Sequence, residues 1–581
     1  VTVYRVWAPH ADRVELALGA AAAERRAMRR EERGWWTADV AEAGPGTDYG
    51  FTLDGEGPFP DPRSAFQPLG VHGPSRVVDH DAFDWTDRAW SAPPLADAVL
   101  YELHVGTFAD DGTFDGVIPH LDHLVELGVT HVELLPVAEF PGNRGWGYDG
   151  VDLFAPHHAY GGPDGLKRLV DACHARRLAV VLDVVYNHLG PDGNYLARFG
   201  PYFSHRYTTP WGDAINFDGP GSDEVRRFVI DNARTWLGDY HIDALRLDAV
   251  HEIFDQSAIH ILEELATEVH ALGAELGRRL DVIAESDLNN PRLVQPLDQG
   301  GYGLDAHWND DFRHALHVTL TGERDRFHAQ YFGIHDLAAA LEEVYVFAGR
   351  YSPFRDRRHG RPADGIPATR FVGFLSNHDQ VGNRAFGERL GHLVPPEAAM
   401  LGAAVVLLSP FVPLLFAGEE WAASTPFLYF TDHQDEELAE AVRRGRREEF
   451  AAFVPDSGEI PDPQDAGTLE RSRLRWNEPD DDDHRRVLDW YRRLIAYRRD
   501  HPELRDGSRA MVRFDDTACW LTADRNGITL AINATPEPRT VPLDRPSGWR
   551  VALASPDGWR LDGPELRLPA WGAAVLERDR G

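Results

Sequence analysis

From about residue 99 the chain alternates short, almost wholly apolar runs with amphipathic stretches. The apolar runs are 98–105 (AVLYELHV), 129–136 (VTHVELLP), 178–185 (LAVVLDVV), 242–250 (IDALRLDAV), 281–286 (DVIAES), 304–309 (LDAHWN), 370–377 (RFVGFLSN) and 410–418 (PFVPLLFAG). Near-continuous apolar runs of this length suit strands buried on both faces. Between most of them lie helix-period stretches such as 115–128 (DGVIPHLDHLVELG) and 163–177 (PDGLKRLVDACHARR). Eight strands alternating with helices predict a closed parallel (β/α)8 barrel. An open, doubly wound sheet is the alternative, but no Gly-rich phosphate loop follows the first strand.

The flanks read differently. Residues 1–86 hold short alternating runs (VYRVWAP, RVELAL, WWTADV, YGFTLDG) between Gly, Pro and Asp turns, which predicts a β-sandwich. Trp35 and Trp36 fit its core as well as they fit a glycan platform. The Pro-rich segment 87–98 reads as a linker. The barrel region then spans 99–504. It carries a short loop subdomain at 189–221 and an irregular insertion at 424–489, inside which 437–453 is helical. Residues 505–581 are strand-rich and predict a C-terminal antiparallel β-domain, so the chain is multidomain.

Composition narrows the classes of partner. The formal net charge is −35, which argues against nucleic acid or an anionic membrane. The longest apolar stretch, 403–418, contains two prolines and reads as a helix end feeding a buried strand. The two cysteines, Cys173 and Cys519, lie in regions assigned to different domains and suggest no disulfide framework. The start, VTVYRVWAPH, opens directly into strand-like alternation and shows no signal peptide, so a cytoplasmic location is expected.

Three carboxylates stand where apolar runs give way to polar residues: Asp248 in RLDAVHEI, Glu285 in AESDLN and Asp379 in NHDQVGN. In a barrel these ends surround one mouth. Asp248 and Glu285 sit on successive strands. Glycoside cleavage needs such a pair, roughly 5 Å apart when the anomeric configuration is retained. Arg246 lies two residues before Asp248, on the same strand face, where it would orient the carboxylate and balance its charge. Glu285 would start protonated, which requires a raised pKa. Asp183 beside Arg246 could be a purely structural partner.

The ordered set DVVYNH (Asp183, Asn187, His188), RLD (Arg246, Asp248), AES (Glu285) and NHD (His378, Asp379) closely resembles the conserved regions of the α-amylase family. That resemblance implies Asp248 as nucleophile and Glu285 as general acid/base. It implies Asp379 as the carboxylate that holds sugar hydroxyls, and His188 and His378 as hydrogen-bonding partners of the same sugar. Tyr148, in GWGYDG, matches the aromatic platform beneath it. A non-catalytic glycan-binding barrel would be expected to lack one or more of these carboxylates.

Finer similarity runs through 147–174, 183–196, 246–253, 284–294, 307–323 and 426–433. These stretches resemble the branch of the family that cuts the α-1,4 bond next to a terminal trehalose. The implied substrate is malto-oligosyltrehalose, the products are trehalose and a malto-oligosaccharide, and no cofactor is implied. Branching and debranching enzymes are the nearest alternatives. Trp211, Trp308, Asn309 and Asp310 fall in segments after the third and sixth strands and are candidates for the leaving-group side. His251 and Glu252, just beyond Asp248, are further candidates. Trp308 could equally be packing, and Asp310 or Asp311 a helix cap. Many α-amylases hold calcium between barrel and insertion. Here that insertion is short and Asn187 lacks an obvious set of oxygen ligands, so no calcium requirement is expected.

Overall fold

The structure is a computed structural model that describes residues 1–19, 24–451 and 459–578. Its centre is a closed barrel of eight parallel strands: β1 (Leu100–Leu103), β2 (His131–Leu134), β3 (Ala179–Val184), β4 (Ala244–Leu247), β5 (Asp281–Ala284), β6 (Ala306–Trp308), β7 (Phe371–Phe374) and β8 (Val412–Phe416). Each pairs with its successor, and β8 closes on β1. The eight apolar runs are therefore the eight strands. All their residues are buried, as sheets covered by helices require.

The lower interior is filled by Leu100, Val181, Ala244, Ile283, Ala306, Val372, Val412 and Leu414. Small side chains on β4 and β6 leave room above for Arg246 and Trp308. The segment read as a linker closes the bottom instead of hanging free. Leu95 and Ala98 join this core, and the Trp90 indole donates to Asp243 at 2.8 Å. Asp87 sits between His174 and His241, 2.8 Å from each.

Antiparallel strands at the N-terminus include Thr2–Trp7 paired with Trp35–Val40 and Val14–Leu18 paired with Asp48–Leu53. They lean on the barrel helix Ser222–Gly238. There Glu224 accepts from the Trp35 indole at 3.1 Å, and Asp231 pairs with Arg63 at 2.9 Å. Trp36 is in the core. Both tryptophans thus brace the sandwich and its seat.

The stretch 403–418 is the end of helix Pro396–Leu408 followed by β8. No helix among the described residues is long and apolar enough to cross a membrane. The helix expected at 437–453 runs over Glu436–Phe450; residues 452 and 453 lie outside the described ones. The C-terminal unit is a five-stranded antiparallel sheet with a smaller three-stranded one.

Candidate active site

Every side chain of the candidate site hangs from the C-terminal end of a barrel strand or the loop that follows it. Asp248 is the first residue after β4, and Asp183 and Arg246 are adjacent on β3 and β4. Arg246 is fully buried. Its Nη1 donates to Asp183 Oδ2 at 2.7 Å and to Asp248 Oδ1 at 2.8 Å, while Nη2 lies 3.7 Å from Glu285 Oε2. One guanidinium therefore spans both members of the predicted pair. Asn187 donates to the other Asp248 oxygen at 2.8 Å and to its carbonyl at 2.7 Å. The carboxylate is fixed from both sides, and its negative charge faces a buried cation.

Glu285 is the first residue after β5. Its Oε2 accepts the backbone N–H of Ala249 at 2.6 Å. Ala249 makes this contact from a left-handed backbone (φ 38°) that turns the chain sharply after Asp248. A non-glycine residue held there stores strain at the point where the two carboxyls meet. Burial raises the Glu285 pKa; Arg246 opposes the rise, and the Asp248 charge adds to it. The net direction suits a group that starts as the acid.

His378 opens the short helix His378–Gly382 after β7. Glu102 of β1 accepts its backbone N–H at 2.9 Å and binds its Nδ1 at 2.6 Å. Burial works against charge on this ring, but Asp379 and Glu102 outweigh it and push the pKa up to about 9. The imidazolium Nε2–H then donates to Tyr148 Oη at 2.8 Å, and the Tyr148 hydroxyl donates to Asp183 Oδ2 at 2.5 Å. Burial, partly offset by Arg246, raises the Asp183 pKa to about 7. Asp183 is thus the hub between Tyr148 and Arg246. Asp379 stays 44% exposed at the mouth, with Asn383 donating to it at 3.2 Å.

His188 follows β3. It binds the Tyr148 carbonyl through Nε2 at 3.0 Å and contacts Asn187 through Nδ1. The half-exposed Trp211 indole stacks on its ring, with centroids 4.3 Å apart. Trp211 therefore covers the β3 side of the mouth and is not part of the wall of the pocket beyond Glu285. The pocket beyond Glu285 lies on the β5–β7 side. That pocket has a volume of about 200 Å³, and its wall includes Asp287, Asp310, His314, Tyr331, Phe354 and Arg355.

Of the other candidates for that side, Asp310 does line the pocket; its side chain makes no hydrogen bond among the described residues, and the Arg313 charge is the attraction that acts on it. Burial, then the charges of Glu285, Asp287 and Asp379, raise its pKa well above the usual range. Asn309 does not reach the pocket. It is fully buried and caps helix Asp310–Thr321, accepting from Phe312 N and donating to the Val344 carbonyl. Trp308 is 1% exposed and lies under Arg246, whose guanidinium carbon is 4.5 Å from its ring centre. It is both a floor beneath the ion pairs and part of the pocket wall beside Asp310. His251 lies 4.0 Å from Asp287, and Glu252 ends the turn Val250–Glu252, half-buried and without a side-chain partner among the described residues. Asp287, Tyr331, Phe354 and Arg355 went unsingled in the sequence. The available signal was the length of the β6–β7 connection, which supplies three of the four.

Asn187 Nδ2 donates to Asp248, and its Oδ1 contacts His188 Nδ1. Two groups elsewhere have metal-ligand spacing, Glu139 with His157 and His158, and His317 with Glu323 and His328. Neither includes one of the three carboxylates.

An acid and a charge-balanced carboxylate on successive barrel strands, with a third carboxylate opposite, define a glycoside hydrolase of the α-amylase type. Residues 78–208 match the α-amylase catalytic domain, 1–68 match carbohydrate-binding module 48 (isoamylase N-terminal domain), and 505–575 match a domain of unknown function, DUF3459. The chain is 49% identical to the malto-oligosyltrehalose trehalohydrolase of Arthrobacter ramosus, over 99% of both chains. It is 47% identical to that of Rhizobium sp. (strain M-11), over 99% of this chain and 97% of the other. A crystal structure from Salmonella typhimurium, provisionally described as an alpha amylase, superposes with a TM-score of 0.90 at 39% identity, covering 99% of this chain and 97% of that one. The chain belongs to the malto-oligosyltrehalose trehalohydrolase family.

Proposed function

We propose that this enzyme hydrolyses the α-1,4-glucosidic bond next to the terminal trehalose of malto-oligosyltrehalose, with retention of configuration, as a step in trehalose formation. The carrying observation is the single Arg246 guanidinium that reaches both Asp248 and Glu285, with an open pocket beyond Glu285. In the first step an Asp248 oxygen attacks the anomeric carbon while Glu285 gives its proton to the departing glycosidic oxygen. Trehalose leaves and a glycosyl ester remains on Asp248. Glu285, now ionised, takes a proton from water, whose oxygen displaces Asp248 and restores both groups. Asp379 would hold hydroxyls of the reacting sugar above Tyr148, His378 and His188 would exchange their Nε2 bonds to Tyr148 for bonds to the same sugar, and Trp211 would extend that side towards the glucan. Asp310, Phe354 and Arg355 would face the trehalose. The two unpaired cysteines agree with a reducing compartment, and we place the enzyme in the cytoplasm.

Incubation with maltopentaosyl trehalose tests the reading. Free trehalose and α-configured maltopentaose are expected by NMR. Branching of amylose without trehalose release would mark a glycosyl transferase and refute it.

A further inference from the structure

Helix Asp310–Thr321 begins in the cleft and carries a buried arginine that faces imidazoles instead of a carboxylate. Arg313 is 4% exposed. Its Nη1 contacts His314 Nδ1 at 3.3 Å and His328 Nε2 at 3.2 Å, and its Nη2 contacts His317 Nδ1 at 3.4 Å. A guanidinium has donors only, so each of these nitrogens must be an unprotonated acceptor. The other nitrogen of each ring then carries the proton. The neighbours agree: His317 Nε2 meets Glu323 at 2.7 Å, and His328 Nδ1 meets Asp325 at 3.3 Å. Arg384 in turn clamps Glu323 with two bonds of 3.0 and 3.1 Å. Burial, then the Arg313 charge, hold all three rings below the ordinary histidine range, to about 3 for His317 and about 4 for His328. Asp310, Tyr331, Arg355 and Arg384 supply the remaining charges or titratable groups around the cluster.

His314 differs from the other two. Its Nδ1 is spent on Arg313, its Nε2 has no partner among the described residues, and its ring lines the pocket beside Asp310, Phe327 and Tyr331. Phe327 and Tyr331 hold the ring at centroid distances of 4.6 and 5.3 Å. We propose that Arg313 locks His314 in the Nε2–H tautomer, and that this N–H donates to a hydroxyl of the departing trehalose, Arg313 acting as a positioning residue. The inference rests on the function proposed above. A neutral donor of fixed tautomer discriminates by hydroxyl position without adding charge beside Glu285. The spacing of His317, Glu323 and His328 could also suit a metal, but Arg313 and Arg384 already occupy that trio with positive charge.

The test compares malto-oligosyltrehalose with α-maltosyl fluoride, whose small leaving group does not reach the pocket. For His314→Phe the ratio of the two kcat/KM values should fall about tenfold, and inhibition by trehalose should weaken by a similar factor. His314→Gln, which keeps an N–H near the Nε2 position, should recover most of the ratio. Imidazole ¹⁵N signals absent from His314→Gln identify this ring and should report a neutral Nε2–H tautomer down to pH 5. In Arg313→Met the same signals should titrate or mix tautomers; if that variant fails to fold, the His314 variants still decide. An unchanged ratio in His314→Phe, a protonated Nδ1 in the wild type, or a bound zinc lost in His317→Asn would overturn the proposal. Absence of trehalose release by the wild type would defeat the proposed function instead, while the tautomer measurement would still stand.

Discussion

On the β3–β4 side of the Asp248–Glu285 pair, each charged or hydroxyl side chain is bonded to a neighbour, with Asp183 Oδ1 and Arg246 Nε and Nη2 the buried atoms left over. Asp183 takes bonds from Arg246 and Tyr148, Tyr148 is held by His378, and His378 is held by Glu102. On the β6–β7 side, Asp310 and one nitrogen of His314 make no hydrogen bond among the described residues, and Phe354 is 55% exposed. On the proposed function, the bonds of the first region fix its side chains around one sugar ring before substrate arrives. On the same reading, the second would be completed by its ligand. A site with unsatisfied polar groups rejects a leaving group whose hydroxyls fall elsewhere, because those groups then stay unpaired. On the proposed function, chemistry and specificity are divided between two arcs of the same barrel mouth.

The largest effect should come from breaking the first region at its centre. Asp248→Asn should lower kcat on the order of 10⁴-fold or more, since no other carboxylate can take the glycosyl group. The loss should be as large for maltosyl fluoride as for malto-oligosyltrehalose, because both need the same nucleophile. A variant that kept more than a few per cent of either activity would sink the assignment.

Glu285→Gln comes next and separates the substrates. Loss of the acid should cost roughly 10²–10⁴-fold on malto-oligosyltrehalose. Fluoride needs little protonation to depart, so burst kinetics on maltosyl fluoride should show the glycosyl-enzyme still forming. The pH profile carries the sign. A raised Glu285 pKa keeps the acid form present above the ordinary glutamate range, so kcat/KM should fall only as pH rises through that raised value. This alkaline limb should vanish in Glu285→Gln.

The contrast between the arcs also explains what the sequence revealed. Asp248, Glu285, His378 and Arg246 end or follow apolar strands, so period and position place them without long-range knowledge. Arg246 and Asp248 share a face by spacing alone, and the structure joins them at 2.8 Å. The barrel was legible for the same reason. The leaving-group wall was not, because Phe327, Tyr331, Phe354 and Arg355 come from the irregular connection between helix Asp310–Thr321 and β7. No period governs such a loop. Nor could spacing show that Asn309, and not Asp310, caps the helix, which frees Asp310 for the pocket. Spacing also could not show that a hairpin, Phe203–Thr209 with Gly212–Ile215, carries Trp211 onto His188. The insertion at 424–489 turned out to support the site. Trp146 donates to the Leu428 carbonyl at 3.0 Å and stacks on Phe427, which fixes the loop bearing Tyr148.

The smallest effects are expected at the two exposed aromatics, and they sharpen the division best when measured together. Phe354→Ala removes apolar contact at the trehalose end and should cost about tenfold in kcat/KM, from ~1.5 kcal/mol of lost burial. The loss should be confined to malto-oligosyltrehalose and spare maltosyl fluoride, and it should not vary with glucan length. Trp211→Ala should cost less, about threefold, because the indole is half-exposed and His188 keeps its bond to Tyr148. Its loss should instead grow as the glucan lengthens, since the indole extends the side away from Glu285. Each variant thus predicts the insensitivity of the other. If Trp211→Ala shifted trehalose inhibition and Phe354→Ala shifted glucan-length preference, the two arcs would be assigned the wrong way round.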